Sequence, residues 1–594
     1  MTDLLSREDL QFLLFDWLDV EGLCSREPFT DHDRSSIALV LDLARSVAVE
    51  HLLPCYALLD REEPVFDAGR AVLPEATGEA VRAIAESGLT WSVLPAEHGG
   101  SDLPLTVHTA ANAWLQAANI SAVAYPFLTL GNANLLLAHG SPEQIATYVE
   151  PMVEGRFTGT MCMSETEAGS SLGDIATSGQ PQEDGSYRIT GSKMWISGGE
   201  HELSENIVHL VLSRTEGAPA GLAGLSLFVV PKFLVEADGS LGERNDVELV
   251  GLNHKMGYRG TVNTVLSFGG GRSTPGGKPG AVGYLVGREG EGLSSMFHMM
   301  NEARIGVGSG AAALGYAGYR YALAYAKERV QGRPPWGKDP TAAPVAIVEH
   351  PDVRRMLLKA KSYVEGAMAL VLYAARVDDD IRSAPEGTSR AEASLLLDVL
   401  TPIVKSWPST YGLVANDLAI QVLGGYGYCR DYPVEQLYRD QRLNPIHEGT
   451  HGIQALDLLG RKAIMREGAG LRLLLGQIAA TADRGRAGFA EQAEALAAAA
   501  GEVGEVTARL WRGGDPAGAL QAAGIYLDAV GHVVVAWLWL DQVLALGDRA
   551  DPFAEGKRAA ARYFNAYELP VALAALRTTA GAGRLFVELD PDVL

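Results

Sequence analysis

Between Thr158 and Gly283 the chain changes its sequence pattern, and that change constrains the fold more than any other feature. Segments rich in β-branched and aromatic residues, SYRITGSKMWIS, NIVHLVLS, LSLFVV and TVNTVLSF, are separated there by Gly, Asp, Pro and Ser turns, which predicts a compact β domain, a small barrel or sandwich. On both sides the periodicity is helical. Leu10, Leu13, Leu14, Trp17 and Leu18 form one apolar stripe, and Ser36 to Leu53 and Thr106 to Ala118 continue in the same manner. After about Gly292 helices return, with Asp352 to Asp378 and Ser394 to Val422 as long helical stretches. A chain of 594 residues is too long for one core. The expectation is an α+β multidomain protein: a helical domain over 1–155, a β-barrel-like domain over 156–287, a helical bundle over 288–465 and an added helical domain over 466–594.

Within the segment Arg304 to Arg329 stand Gly306, Gly308, Gly310, Gly315 and Gly318. Each costs a helix interior about 1 kcal/mol against Ala, so their accumulation predicts helices whose backbones approach closely. Met296, Phe297, Met299 and Met300 read either as core or as a flexible acyl pocket. The Ala-rich stretch beyond Gly460 has helical composition and no motif with chemical content, so it is expected to pack more than to react.

The formal net charge is −24, from 73 acidic against 49 basic residues, with no Lys/Arg run, which disfavours nucleic acid as a partner. Four cysteines lie far apart and make no metal-spaced set, so no structural metal and no disulfide framework are expected. The N-terminus is acidic where a targeting peptide would be basic, and the apolar run Val533 to Leu540 is far shorter than the ~20 residues that cross a bilayer. A cytoplasmic protein without a membrane span is the expectation.

Three short sequences carry chemistry. MCMSETEAGSS, Met161 to Ser171, offers hydroxyls, an acid and a turn whose amides can meet a phosphate or polar ligand edge, though alone it reads equally as a strand exit. GSKMWISGG, Gly191 to Gly199, sets Trp195 and Ser197 on one strand face, a π surface beside a hydroxyl that suits a planar heteroaromatic ligand or a buried core. QVLGGYGYCRDYPVEQLYRD, Gln421 to Asp440, runs into NPIHEGTHGIQ, Asn444 to Gln454, where Glu448 is followed by Gly. Alone, that last stretch is a helix start with a well-placed acid.

Together, in order, these sequences resemble the acyl-CoA dehydrogenase family of flavoproteins over roughly residues 35 to 465. The added ends, HEGTHGIQ and EHPDVRRMLLKAK (Glu349 to Lys361) resemble a large bacterial subgroup that includes methylmercaptopropionyl-CoA and long-chain fatty acyl-CoA dehydrogenases. The resemblance implies FAD held between a helical N-terminal domain, a β domain and a four-helix bundle, an acyl-CoA substrate, α,β-dehydrogenation to a trans-2-enoyl-CoA, and an electron-transfer flavoprotein as acceptor. It implies that Met163 and Ser164 contact the flavin pyrimidine, Trp195 packs on the ring system and Ser197 reaches N5. Arg329, Gln421, Gly424 and Gly425 would line the FAD phosphates, the last three those of a neighbouring subunit, with Thr450 near the dinucleotide. Ser170, Arg304 and Gly449 would serve the substrate, and Glu448 would be the catalytic base.

Departures from the family pattern are His447 in place of Tyr, Ser171 in place of Asp, Glu167 in place of Gly, and ERVQGRPPWGK, Glu328 to Lys338, in place of an aromatic-glycine step. An acyl-CoA oxidase would keep the flavin and the base and use O2 as acceptor, with no sequence feature separating it from a dehydrogenase, and a DNA-associated flavoprotein on the same scaffold would want a basic C-terminal face. The added helical domain at the C-terminus implies a homodimer where smaller relatives are tetramers.

Overall fold

A computed structural model describes residues 3–594 except Lys338, Glu386 and Ala582, without the side chains of residues 297–301. Phe297, Met299 and Met300 of the methionine-rich cluster therefore lie outside the described side chains, while Met296 is fully buried. The chain divides into two compact units, one of residues 42–103 and 118–303, the other of residues 1–41, 104–117 and 304–594.

The first unit holds the β domain. Eight strands form it: β1 Phe157–Cys162, β2 Ser178–Pro181, β3 Tyr187–Ser197, β4 Asn206–Thr215, β5 Leu225–Pro231, β6 Val247–Leu252, β7 Asn263–Phe268 and β8 Ala281–Val286. Their order is β6-β7-β3-β8-β5-β4-β1, with β2 pairing β3 and β4. The long strand β3 serves both halves, pairing β8 through Tyr187–Ile189 and β7 through Gly191–Ser197. The corner between them is Gly191 at φ +155, where an added Cβ would stand 2.4 Å from Thr177 Oγ1. Only glycine permits that approach. Ile189, Val211, Phe228, Leu249 and Leu266 fill the interior.

The predicted helix over Thr106 to Ala118 continues to His139. What stops it at Ala118 in sequence terms is real: Asn119 leaves helical geometry at φ −162 and ψ 86. Its Oδ1 then accepts from Ala122 N at 3.2 Å and so caps the helix that follows, while its Nδ2 donates to Leu52 O.

The second unit is helical: α1 Gly292–Glu328 from Arg304 onward, α2 Pro351–Ser383, α3 Thr388–Leu423, α4 Val434–Gln441, α5 His451–Asp457, α6 Met465–Gly485, α7 Ala490–Trp511, α8 Ala523–Ala545, α9 Pro552–Tyr563 and α10 Leu569–Thr579. The glycines of α1 do what their number predicts. A Cβ at Gly308 would lie 2.3 Å from Val404 O, and one at Gly315 would lie 2.9 Å from Gly412 Cα, so α1 and α3 meet backbone to backbone. The apolar α8 has the length and composition of a membrane span, yet 83% of its most apolar window is buried in protein, as a core helix would be. Leu105–His139 passes the same test of length and composition, with 56% of its window buried.

The last 130 or so residues are fused to the bundle and not appended to it. Trp407 of α3 meets His532 of α8 and Phe564, and a Cβ at Gly531 would stand 2.5 Å from the Trp407 ring. The N-terminal segment joins the same body through charge. Lys557, fully buried, pairs with Asp9 and with Glu365 of α2 at 3.3 Å. It also donates to Gln542 Oε1 at 3.0 Å, while Tyr316 donates to Asp9 at 2.9 Å.

Candidate active site

Glu448 occupies a turn between α4 and α5 that the backbone enters only under constraint. Its φ is +52, in the left-handed region disfavoured for residues with a Cβ, and Gly449 follows at φ +82. A Cβ at Gly449 would stand 2.5 Å from Gln454 Nε2, so shape and backbone favour glycine there. The turn is pinned at both ends. Thr450 caps α5 by accepting from Ile453 N, and Gln454 Nε2 donates to Glu448 O at 3.1 Å. At the other end Asn444 Nδ2 donates to Gln441 Oε1, and Asn444 Oδ1 lies 3.2 Å from His447 Nε2.

With its main chain held, the Glu448 side chain is left open: its Oε2 is buried and has no hydrogen-bond partner among the described residues. Burial pushes the carboxyl above its ordinary value, opposed by the positive charges of Lys405 and Arg304. Arg304, 4% exposed, pairs with Asp457 Oδ2 at 3.3 Å and acts on the glutamate through its charge. His447 is pushed down to about 3 by burial and by the Lys405 charge. It is neutral near pH 7 and cannot tune Glu448 by charge.

Lys405 carried no signal in the sequence reading. It is fully buried on α3, and its Nζ donates to Asn444 O at 2.8 Å. Burial lowers it to about 7. In sequence it shows only as a lone Lys after Pro-Ile-Val in TPIVKSW.

In the β-domain unit, Met163, Ser164, Trp195 and Ser197 come together. Met194 N donates to Ser164 O at 2.9 Å, which ties the loop after β1 to β3. The pairing of β3 with β7 slips by one residue here, and the bulge turns Trp195 outward at φ +66 and 58% exposure. Beyond it alternation resumes, with Ile196 buried and Ser197 on the open side, accepting from Asn263 Nδ2 at 3.1 Å. Of the two acids in MCMSETEAGSS, Glu167 is exposed and Glu165 is not open to a ligand. Glu165 accepts from Ala176 N, Thr177 N and the Thr177 hydroxyl, and pairs with buried Lys193 at 2.9 Å. Lys193 also donates to Met163 O, so this pair shapes the loop from behind. Ser170 is exposed on that loop. In the helical unit, Gln421, Gly424 and Gly425 are exposed at the end of α3, and Arg329 lies 5.7 Å over the Tyr426 ring beside them. Gly424, at φ +63, also ends the helix.

Family models match in sequence: "Acyl-CoA dehydrogenase, N-terminal domain" over residues 37–156, the middle domain over 160–269 and the C-terminal domain over 290–464. "Acetyl-CoA dehydrogenase C-terminal like" follows over 474–590. The 3-methylmercaptopropionyl-CoA dehydrogenase of Ruegeria pomeroyi is 38% identical over 93% of both chains. This chain belongs to the acyl-CoA dehydrogenase family. The broad-specificity linear acyl-CoA dehydrogenase FadE5 of Mycobacterium tuberculosis is 35% identical over 95% of each chain. Among solved structures, Caenorhabditis elegans ACDH-11 in complex with C11-CoA superposes with a TM-score of 0.75 at 19% identity, covering 93% of this chain and 90% of that one.

As an acyl-CoA dehydrogenase the protein is a flavoprotein oxidoreductase with FAD as its cofactor. The residues fit that group. Trp195 offers an uncovered indole face, and the Ser164 hydroxyl makes no hydrogen bond among the described residues. Nothing stands within 4 Å of a Cβ at Gly424 or Gly425, so a phosphate can approach their backbone.

Proposed function

We propose that the protein dehydrogenates an acyl-CoA thioester between Cα and Cβ, giving a trans-2-enoyl-CoA, with Glu448 as the base that removes the α-proton. The observation that carries this reading is the combination at Glu448: a strained, fully anchored backbone and a buried carboxylate oxygen without a partner. An oxygen left in that state is poised to take a proton from a substrate, and a carboxyl raised above its ordinary value by burial is the stronger base for it. The chemistry FAD supplies when bound is acceptance of the β-hydrogen as hydride, which balances the proton taken by Glu448 and leaves the C=C bond.

Met163, Ser164, Trp195, Ser197, Arg329, Gln421, Gly424, Gly425 and Thr450 would hold the cofactor; Ser170, Arg304 and Gly449 would serve the thioester. An electron-transfer flavoprotein would take up the electrons, in the cytoplasm, and the working form would be a homodimer. Relatives named for 3-methylmercaptopropionyl-CoA and, with broad specificity, for linear acyl-CoAs support an unbranched acyl group.

The decisive experiment is anaerobic bleaching of the flavin absorbance by a panel of acyl-CoA thioesters in wild type and Glu448→Gln. The variant retains FAD and loses bleaching by a factor of at least about 10^2; undiminished bleaching overturns the assignment. Repeating turnover in air without a dye acceptor distinguishes a dehydrogenase, which stalls, from an oxidase. Gel filtration of the full chain tests the dimer, and a tetramer refutes it.

A further inference from the structure

Lys405 is an ammonium where an ammonium is costly. It is fully buried and, among the described residues, makes one hydrogen bond, to Asn444 O, and no ion pair with a carboxylate. A buried Lys is ordinarily neutralised by contact, as Lys193 is by Glu165 and Lys557 by Asp9 and Glu365 in this same protein. The opposite charge that acts on Lys405 is Glu448, whose own Oε2 lacks a partner. Two groups that each look incomplete are therefore linked, by charge and through the Asn444 turn. The carbonyl that Lys405 grips opens the turn whose fifth residue is Glu448, and the intervening His447 leans on the side chain of that same Asn444.

We infer that Lys405 is a positioning residue for the reaction: it anchors the Asn444–Glu448 turn and supplies the buried positive charge that keeps Glu448 ionised, and hence able to accept a proton. This rests on Glu448 being the base. The other groups acting on the pair are Arg304 of α1, whose charge is shared with Asp457 of α5, and neutral His447. Arg304 shares the single carboxylate of Asp457 with Arg461, so it too brings positive charge to Glu448, with Lys405 the larger of the two influences.

The test separates charge from scaffolding in the holoenzyme. Lys405→Gln keeps a donor for Asn444 O and removes the charge; Lys405→Met removes both. The rate of anaerobic flavin bleaching is followed from pH 5.5 to 9 with one saturable thioester, beside wild type, Glu448→Gln and Lys405→Arg. The acid limb of kcat/KM moves up by about one pH unit in Lys405→Gln, a roughly tenfold loss on the acid side of the limb that vanishes on the alkaline plateau, since one unit is tenfold in ionisation. Lys405→Met shows the same shift with a lower plateau, and Lys405→Arg returns the limb toward wild type. Infrared difference spectra give a reading independent of turnover: the protonated-carboxyl band absent from Glu448→Gln titrates at higher pH in Lys405→Gln.

If both charge-removing variants keep the wild-type acid limb and the wild-type carboxyl titration, and lose only thermal stability, Lys405 is a structural pin and the inference is wrong. If Glu448→Gln bleaches at full rate, it is the base assignment that fails, a result the Lys405 variants do not enter.

Discussion

Replacing Lys557 by Met tests whether the chain's two ends are held to the bundle by charge. The ammonium is fully buried, with Asp9 1% and Glu365 2% exposed, and its removal strips the nearest cation from Asp9 and one of two cations from Glu365. Breaking a buried pair from one side costs about 3–5 kcal/mol, and the Gln542 oxygen left without its donor adds about 1 kcal/mol. Lys361 still neutralises part of Glu365, so the lower half of that range is expected. The loss is pH-dependent in a definite direction. Burial already raises Asp9 above its ordinary value, with Lys557 the main opposing influence. In the variant Asp9 rises further, the folded state then binds more protons than the unfolded one, and stability falls as pH rises. The deficit against wild type is therefore smaller at low pH, where the raised Asp9 carboxyl is protonated, than at high pH.

Urea unfolding of the full chain followed by tryptophan emission reads this site directly, because Lys557 Nζ lies 5.1 Å over the Trp539 ring. Replacing all three charges together, Asp9→Asn, Glu365→Gln and Lys557→Met, should recover most of the loss. A triple variant no more stable than Lys557→Met alone, or a deficit flat from pH 5 to 8, would show that Lys557 acts through its stem packing and not its charge.

Further outcomes are open to measurement. Gly308→Ala drives a Cβ against Val404 O and costs about 1–3 kcal/mol in urea unfolding, whereas a substitution at Gly476, with nothing within 4 Å, is tolerated. Gly449→Ala retains FAD, measured by absorbance per chain, and loses at least tenfold in bleaching rate, because the substituted residue meets Gln454 Nε2 and moves Glu448. Lys193→Met frees Met163 O and leaves Glu165 unpaired, so FAD occupancy falls while the helical far-UV signal persists. Lys405, at about 7 when folded and near 10.5 when unfolded, binds a proton more weakly in the folded state, so stability rises with pH above 7. From pH 7 to 9 it contributes about 2 kcal/mol of that rise, absent in Lys405→Met.

Glu448 was legible because its neighbours in sequence are its neighbours in space, and the Glu-Gly step, the Thr cap and Gln454 all fall within seven residues. The close approach of α1 and α3 was legible for a similar reason: glycines in a helix have few other uses. Lys405 was not, since the carbonyl it holds is 39 positions away and nothing in TPIVKSW says which way a lysine points. The sharp φ of Trp195 was hidden as well. A bulge depends on the register of the partner strand β7, and KMWIS alternates equally well without it. Glu165 shows the converse error, an acid in a ligand-like motif that the fold spends on Thr177 and Lys193.

The seam between bundle and C-terminal helices bears on how such a chain can be shortened. Trp407, Tyr363 and Tyr411 point at His532 and Phe564, and Gly531 exists as a notch for the Trp407 ring. Cut near Glu467, the bundle would present three aromatic rings to water, a sticky face and not a finished surface. A smaller enzyme with the same chemistry is therefore not contained in this one as a removable part; it would need polar residues at those three positions before it could stand alone.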